Sequence, residues 1–570
     1  MFKLLLKLIF SFLVTVQLNG QSTFPQDYFV SPLDIPLKLS GTFAELRTDH
    51  FHSGIDIKTG EQTGLNIYAI AGGYVSRIKI QEGGYGKALY ITHPNGYVSV
   101  YGHLEKFNDR IGKFVLESQY QQESYTIDLY LTPDDITVEK GEIVAYSGNS
   151  GYSGGPHLHF EIRREADQHP INPLLFGFRV ADQRAPVINL LRVYPFGPNT
   201  LINGSNKAID LYPKITGSRY VVGAQDTLHI GGPFYTGINT IDLFNGGINK
   251  NGVYRIRLSI NSELVYEHEM ESFSFSETRY INSLIDYAEF IKNRRQVQKS
   301  RVEPNNQLSI YKKVLKDGVF NPQAGDIYRM EYEVSDIAGN SSILSFVVKG
   351  ELPAAEKESV FSATVFNYNS DNTFLNKEIR LDVPKGALYD TLHFVYTSEP
   401  GPTGSFSEMY HIHNEYTPLQ SWCELAIKTK DFPVDLSDKL LIVRVDDDNK
   451  WSSAGGYYKD GFVHTQIRSF GKYCVASDTL PPQIIPVNIP ANGSLLAQQD
   501  IRIKIKDELA GIRSYRGTLN GNWILMEYDA KSDLLTYFFD KHLKDGENSF
   551  ELTVEDESGN VATYRSSLTY

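Results

Sequence analysis

The sequence predicts an all-β protein built from several small domains in series, and three observations carry that reading. Its 570 residues exceed what one hydrophobic core usually fills, which points to about four domains. Tyr, Phe and Gly are abundant, at 36, 31 and 46 residues. Short runs alternate apolar and polar residues between turn-forming clusters, while sustained helical periodicity is scarce.

Residues 1–20 read as a secretory signal peptide. Lys3 and Lys7 give a basic start, residues 8–16 an apolar run, and Leu18-Asn19-Gly20 a small-residue end. The apolar run is too short to span a bilayer, no later stretch is long and apolar enough to do so, and no Cys stands near the cleavage point for a lipid. The expected mature chain is exported and has no transmembrane helix. Losing Lys3 and Lys7 takes its formal charge from −13 to −15. An acidic chain with no basic block excludes nucleic acid as a partner, and also electrostatic capture by an anionic membrane. Cys423 and Cys474 permit either one disulfide or two buried thiols.

Along the chain, the first chemically rich stretch is Asp49-His50-Phe51-His52-Ser53-Gly54-Ile55-Asp56-Ile57. A straight strand would hold His52 and Asp56 about 13 Å apart, too far to share a metal. Gly54 permits a bend that brings them together. Residues 67–80 read as two short strands broken at Gly72-Gly73. Residues 87–93 and 97–103 form a hairpin around Pro94-Asn95-Gly96, with Tyr97, Ser99, Tyr101 and His103 on one face. Residues 105–135 are polar and read as an irregular excursion. The β pattern resumes over 138–146, turning at Lys140-Gly141, and the loop 148–155 leads into Pro156-His157-Leu158-His159-Phe160-Glu161-Ile162. Alternation there puts His157, His159 and Glu161 on one face of a strand.

Beyond this, Asp182-Gln183-Arg184-Ala185-Pro186 marks a boundary, and a similar Asp478-Thr479-Leu480-Pro481-Pro482 recurs. Each start has a matching end: residues 333–340 and 551–560 are both a strand running into an acidic-Gly-Asn turn. This degenerate repeat predicts Ig-like β-sandwiches over 182–350 and 478–570, with a further sandwich over 351–477. Residues 280–295 are the one stretch read as a helix of any length. None of these modules shows a catalytic constellation.

His52, Asp56 and one histidine of the 157/159 pair offer two imidazoles and a carboxylate, a set that leaves zinc an open position for water. Zinc would bring that water's pKa near neutrality and polarise a carbonyl, with the remaining imidazoles moving protons. Spacing alone leaves open which of His157 and His159 binds metal. His411-Ile412-His413 lacks a companion carboxylate and reads as strand surface, and His93 as structural. Gly151-Tyr152-Ser153-Gly154-Gly155 fits the G-x-S-x-G pattern, but it opens a strand where a nucleophile elbow opens a helix.

These segments resemble the lysostaphin/LytM-type zinc metallopeptidases. His52-Ser53-Gly54-Ile55-Asp56, Tyr101-Gly102-His103-Leu104 and Gly155-Pro156-His157-Leu158-His159-Phe160-Glu161 follow in the family's order, with Gly83-Gly84-Tyr85-Gly86 and Gly148-Asn149-Ser150-Gly151 alongside. The resemblance covers about residues 36–175. It implies an antiparallel duplicated-hybrid-motif β domain (21–181) with endopeptidase activity on peptidoglycan cross-links. It further implies Zn2+ held by His52, Asp56 and His159, in preference to His50, with His103 and His157 as the catalytic imidazoles. The long stretch between His103 and Gly148 departs from the family and could cover the cleft. The expected partners are peptidoglycan peptide stems and, through the sandwiches, another envelope protein. The expected location is the periplasm or cell envelope, or outside the cell. The alternative is a non-catalytic LytM-like protein that binds wall peptide or regulates another hydrolase.

Overall fold

Apolar residues at every second position draw the N-terminal strands into one antiparallel sheet. The computed structural model describes residues 24–223, 227–355 and 364–570, so the expected signal segment lies outside the described residues. Strands β1 (Leu39–Gly41), β2 (Ile55–Lys58), β3 (Asn66–Tyr68), β4 (Gly73–Ile80), β5 (Lys87–Thr92), β6 (Tyr97–Gly102) and β7 (Lys106–Phe107) precede helix α1 (Asp109–Gln122). After it come β8 (Ile127–Tyr130), β9 (Thr137–Val138), β10 (Ile143–Tyr146), β11 (His157–Arg164) and β12 (Pro170–Ile171). The main sheet runs β1-β2-β11-β6-β5-β4-β8, with β12 beside β11 and β9 beside β4; β3, β10 and β7 form a second, small sheet.

Strand β11, late in this part of the chain, lies between two early ones. Its Leu158, Phe160 and Ile162 are fully buried with Ile55 and Ile57 of β2. Each such side chain contributes roughly 1.5–3 kcal/mol. The register sets His159 opposite Asp56 on one side and Gly102 on the other.

The excursion expected over 105–135 is ordered, and the expectation of irregularity is corrected. It holds α1, the longest helix among the described residues, and β8, which pairs with β4 at the sheet edge. Asn108 caps α1 by accepting a hydrogen bond from Ile111 N, and Ile111, Val115 and Gln119 are buried one turn apart. The helix expected over 280–295 is instead two short ones, Ile281–Leu284 and Tyr287–Asn293, parted where Asp286 caps the second.

The rest of the chain is paired sheets. Val187–Pro195 and Phe234–Ile241 pack against Arg255–Ile260, Ile327–Ser335 and Ser341–Glu351 over Leu191, Ile238, Leu258 and Leu344. Two five-stranded sheets follow over Leu381, Leu425, Ile442 and Val475, then two four-stranded ones over Ile501, Ile503, Leu535 and Leu552. The two acidic-Gly-Asn turns close identically. Asp336 and Asp556 each accept hydrogen bonds from the backbone N–H and the side-chain amide of an Asn four residues on. Cys423 and Cys474 are buried free thiols, and burial pushes each up to about 12.

The last module folds back onto the first. Lys87 pairs with Glu527 at 2.8 Å and Arg516 with Glu123 at 2.7 Å. The Tyr120 ring of α1 stacks on His542 and meets the edge of Trp523, while its hydroxyl bonds Asp540. Among the described residues, no helix is long and apolar enough to cross a membrane.

Candidate metal centre

Gly54 brings His52 and Asp56 to the sheet by close approach. A Cβ there would stand 2.3 Å from Phe160 O and 2.8 Å from Glu161 Cγ, so only glycine lets the His52–Asp56 segment lie flush on β11. His52 is pinned by backbone hydrogen bonds between residues 44–45 and its own amide and carbonyl. His52 Nε2, Asp56 Oδ1 and His159 Nδ1 then meet, each 3.0 Å from the other two. All three residues are buried.

The outer nitrogens decide what these atoms offer. His52 Nδ1 donates to Thr42 O at 2.7 Å, and His159 Nε2 donates to Glu161 Oε1 at 2.8 Å. In the neutral form of both rings the inward nitrogens carry lone pairs and face a carboxylate oxygen; His159 reaches that form by giving up the proton its Nδ1 shares with Asp56, as metal binding requires. Three electron-rich atoms held this close fit one zinc ion at bond lengths of about 2.0–2.2 Å. Asp56 Oδ2 accepts from Arg47 at 3.1 Å, which leaves Oδ1 to face the histidines. Although burial works against its charge, contacts with His52, His157 and His159 hold the Asp56 carboxyl well below its ordinary range. Burial alone would lower His159; its hydrogen bonds to Asp56 and Glu161 outweigh that and raise it to about 9.

Two more imidazoles stand beside this group. His103 follows β6 in a left-handed backbone conformation (φ 59°), a strained position for a non-glycine residue. Its Nδ1 donates to Ser150 O at 2.8 Å, and its ring centroid lies 4.7 Å from that of His157. His157 Nδ1 donates to Gly155 O at 2.8 Å, and its Nε2 lies 3.4 Å from Asp56 Oδ1. Burial, then the neighbouring His159 and His157, push His103 down to about 3.

The structure thus gathers all five singled-out residues at one place. His50 lies outside it, exposed and bonded to Asp49. His93 bridges Gly72 O and Ser99 within the sheet. His411 and His413 bond Glu399 and Thr417. Sequence reasoning placed Glu161 on the right face but gave it no role. Fully buried, it accepts from Ser53 at 2.6 Å and Tyr85 at 2.5 Å besides His159, and its other oxygen accepts from Arg163 at 2.5 Å. The Tyr85 ring stacks on His159 at 4.8 Å. The signal was the alternation of 157, 159 and 161, continued to Arg163.

Residues 50–120 and 126–173 match peptidase family M23, and residues 363–478 match the Zu5-like domain. The chain is 32% identical over 129 residues to the DD-carboxypeptidase/endopeptidase Mpg of Neisseria meningitidis serogroup B, covering 23% of this chain and 23% of that protein. It is 32% identical over 123 residues to an uncharacterized metalloprotease of Haemophilus influenzae, covering 22% and 20%. The chain spans less than a quarter of the length of these curated relatives. Among solved structures, the catalytic domain of lysostaphin from Staphylococcus simulans is 21% identical, with 24% of this chain and 88% of that one covered and a TM-score of 0.18.

Proposed function

We propose that the protein is an exported zinc endopeptidase that hydrolyses peptide cross-links of peptidoglycan. The observation that carries this reading is the meeting of His52 Nε2, Asp56 Oδ1 and His159 Nδ1 beside two further imidazoles. The family M23 match and the relatives' names support the substrate class. Export rests on the pattern of residues 1–20 and belongs to the proposal.

Zinc, when bound by His52, Asp56 and His159, supplies a Lewis acid and brings a water's pKa near neutrality. The chain's own residues do the rest. Ser150 O fixes the proton of His103 on Nδ1, which leaves Nε2 unprotonated and ready to accept a proton from the attacking water. The bare Nε2 is the accepting atom, and negative charge developing on the carbonyl raises its proton affinity as the reaction proceeds. Gly155 O holds a proton on His157 Nδ1 in the same way, so His157 would steady the developing oxyanion only after its Nε2 takes up a second proton and the ring becomes an imidazolium. Glu161 orients the His159 ring through Nε2, and Arg47 turns the Asp56 carboxylate.

The test is a digest of purified peptidoglycan by the zinc-loaded protein, with released fragments identified by mass. Cross-linked dimers should become monomers, and a chelator should stop the conversion. His159→Ala should lose both zinc and cleavage. His103→Ala should keep its zinc and lose about 10²-fold or more of the rate. No cleavage by zinc-loaded wild-type protein would overturn the enzyme reading in favour of a binding module.

A further inference from the structure

The carboxylates of Asp182, Asp242 and Asp336 meet at the junction between the peptidase domain and the sandwich that follows it. One oxygen of each lies within 4.8 Å of the others, a span that one ion bonding at about 2.3–2.6 Å can bridge. Asp182 stands on the linker, Asp242 just past the strand Phe234–Ile241, and Asp336 in the turn after Ile327–Ser335. Asp242 is 1% exposed, and its Oδ1 has no hydrogen-bond partner. Asp182 Oδ2 is also buried and unpartnered, and so is Oδ1 of Asn251, the residue bridged directly opposite Asp242. Buried oxygens left without donors are costly, and two of the three converging carboxylates carry one, which calls for a cation.

The neighbouring cation does not meet that need. The Arg184 guanidinium donates to Phe244 O and Gly247 O, so its charge reaches Asp242 only through space. Burial, then Asp336 and Asp182, drive the Asp242 carboxyl up to about 7. The late repeat supplies the contrast. Asp478, Asp507 and Asp556 converge in the same way and take backbone amides of Leu480, Ala510, Leu509, Gly511 and Asn560, with no buried carboxylate oxygen left unpartnered. In the early cluster Arg184 N, Leu243 N and Asn340 reach the carboxylates but still leave Asp182 Oδ2 and Asp242 Oδ1 without a donor.

The geometry points to a Ca2+ site at Asp182, Asp242 and Asp336, with Asn251 as a further oxygen donor, that fastens the linker to the second module. An all-oxygen set with three carboxylates suits this hard cation and not the zinc of the peptidase domain. The loop it would anchor, residues 242–252, reaches the catalytic domain. Phe244 joins that domain's apolar core, Asn249 accepts from Lys58 at 2.5 Å, and Gly252 N donates to Thr42 Oγ1 at 3.0 Å. The carbonyl of Thr42 holds His52. Calcium would therefore stiffen the support behind one zinc ligand from outside the zinc site.

The test is calorimetric titration of the zinc-loaded full-length protein with calcium chloride, with melting curves at each calcium concentration. Asp242→Asn and Asp182→Asn should each bind one calcium fewer than wild type and lose the accompanying rise in Tm. In calcium-free buffer at pH 8, Asp242→Asn should melt no lower than wild type, because it removes a buried charge that has no partner. Asp182 sits on a partly exposed linker, so its variant folds even if Asp242→Asn does not. A wild type that takes up no calcium, or variants that bind the same number of ions as wild type, would overturn the site.

Discussion

Glu161 shows how a single side chain links the stability of the fold to the competence of the site. It is fully buried, and burial opposes its charge, yet Arg163 and His159 hold its carboxyl below the ordinary range. A folded-state pKa below the unfolded one contributes stability that is complete above about pH 4.5 and is lost as pH falls through the folded value. Glu161→Gln would leave the Arg163 guanidinium buried without its counter-charge, a change that costs about 3–5 kcal/mol when a buried pair is broken. It would also weaken the hold on His159, for which a 10–100-fold loss of zinc affinity is typical. The expected result is a lower Tm at pH 7, a gap to wild type that narrows as the pH drops below about 4.5, and weaker zinc retention against a competing chelator. Zinc affinity equal to wild type would show that Glu161 braces the sheet without positioning the ligand.

At the scale of elements, strand β11 was legible and helix α1 was not, and the reason is the same in both. A strand that puts histidines, a glutamate and an arginine on one face and Leu158, Phe160 and Ile162 on the other announces its period directly. The hairpin β5–β6 was equally plain, since Asn95-Gly96 sits between two alternating runs. Helix α1 hides because it buries only Ile111, Val115 and Gln119 along a narrow stripe, and one of those is polar. Its cap also lacks the usual Glu or Gln three residues on, where Ile111 stands instead. The Asn108 side chain is what starts it, by accepting from Ile111 N and donating to Ile143 O of β10. Asn108→Ala should cost about 1 kcal/mol at that end. Hydrogen exchange at the Ile111 amide should quicken roughly fivefold while the core of β11 keeps its protection. Unchanged exchange at Ile111 would mean that docking, not capping, fixes the first turn.

At the scale of the whole molecule, the modules close on themselves, and no pattern in the sequence could say so. The contacts that close the chain join residues as far apart as Tyr120 and Asp540, or Lys531 and Asn149. The steps between are shorter: Phe43 and Phe51 pack on Phe273, Arg279 donates to Leu419 O, and Lys439 donates to Ser558 O. The recurring acidic-Gly-Asn turns were readable because they are local, whereas the pairing of first and last modules depends on surfaces that only folding creates. That pairing reaches the chemistry. Lys531 holds the carbonyl of Asn149, next to Ser150, whose own carbonyl fixes His103. Removing residues 478–570 should therefore loosen the loop 148–155 and expose Tyr120, while His52, Asp56 and His159 keep their contacts. The truncated protein should retain zinc, show faster hydrogen exchange over 148–155, and cleave a soluble cross-linked peptide dimer with a lower kcat. Lys531→Ala in the full chain should move exchange and kcat in the same direction by a smaller amount, because it cuts one of the closing contacts and leaves the others. If truncation changed neither exchange nor kcat, the last module would be a passenger on the catalytic domain and its docking would serve stability alone.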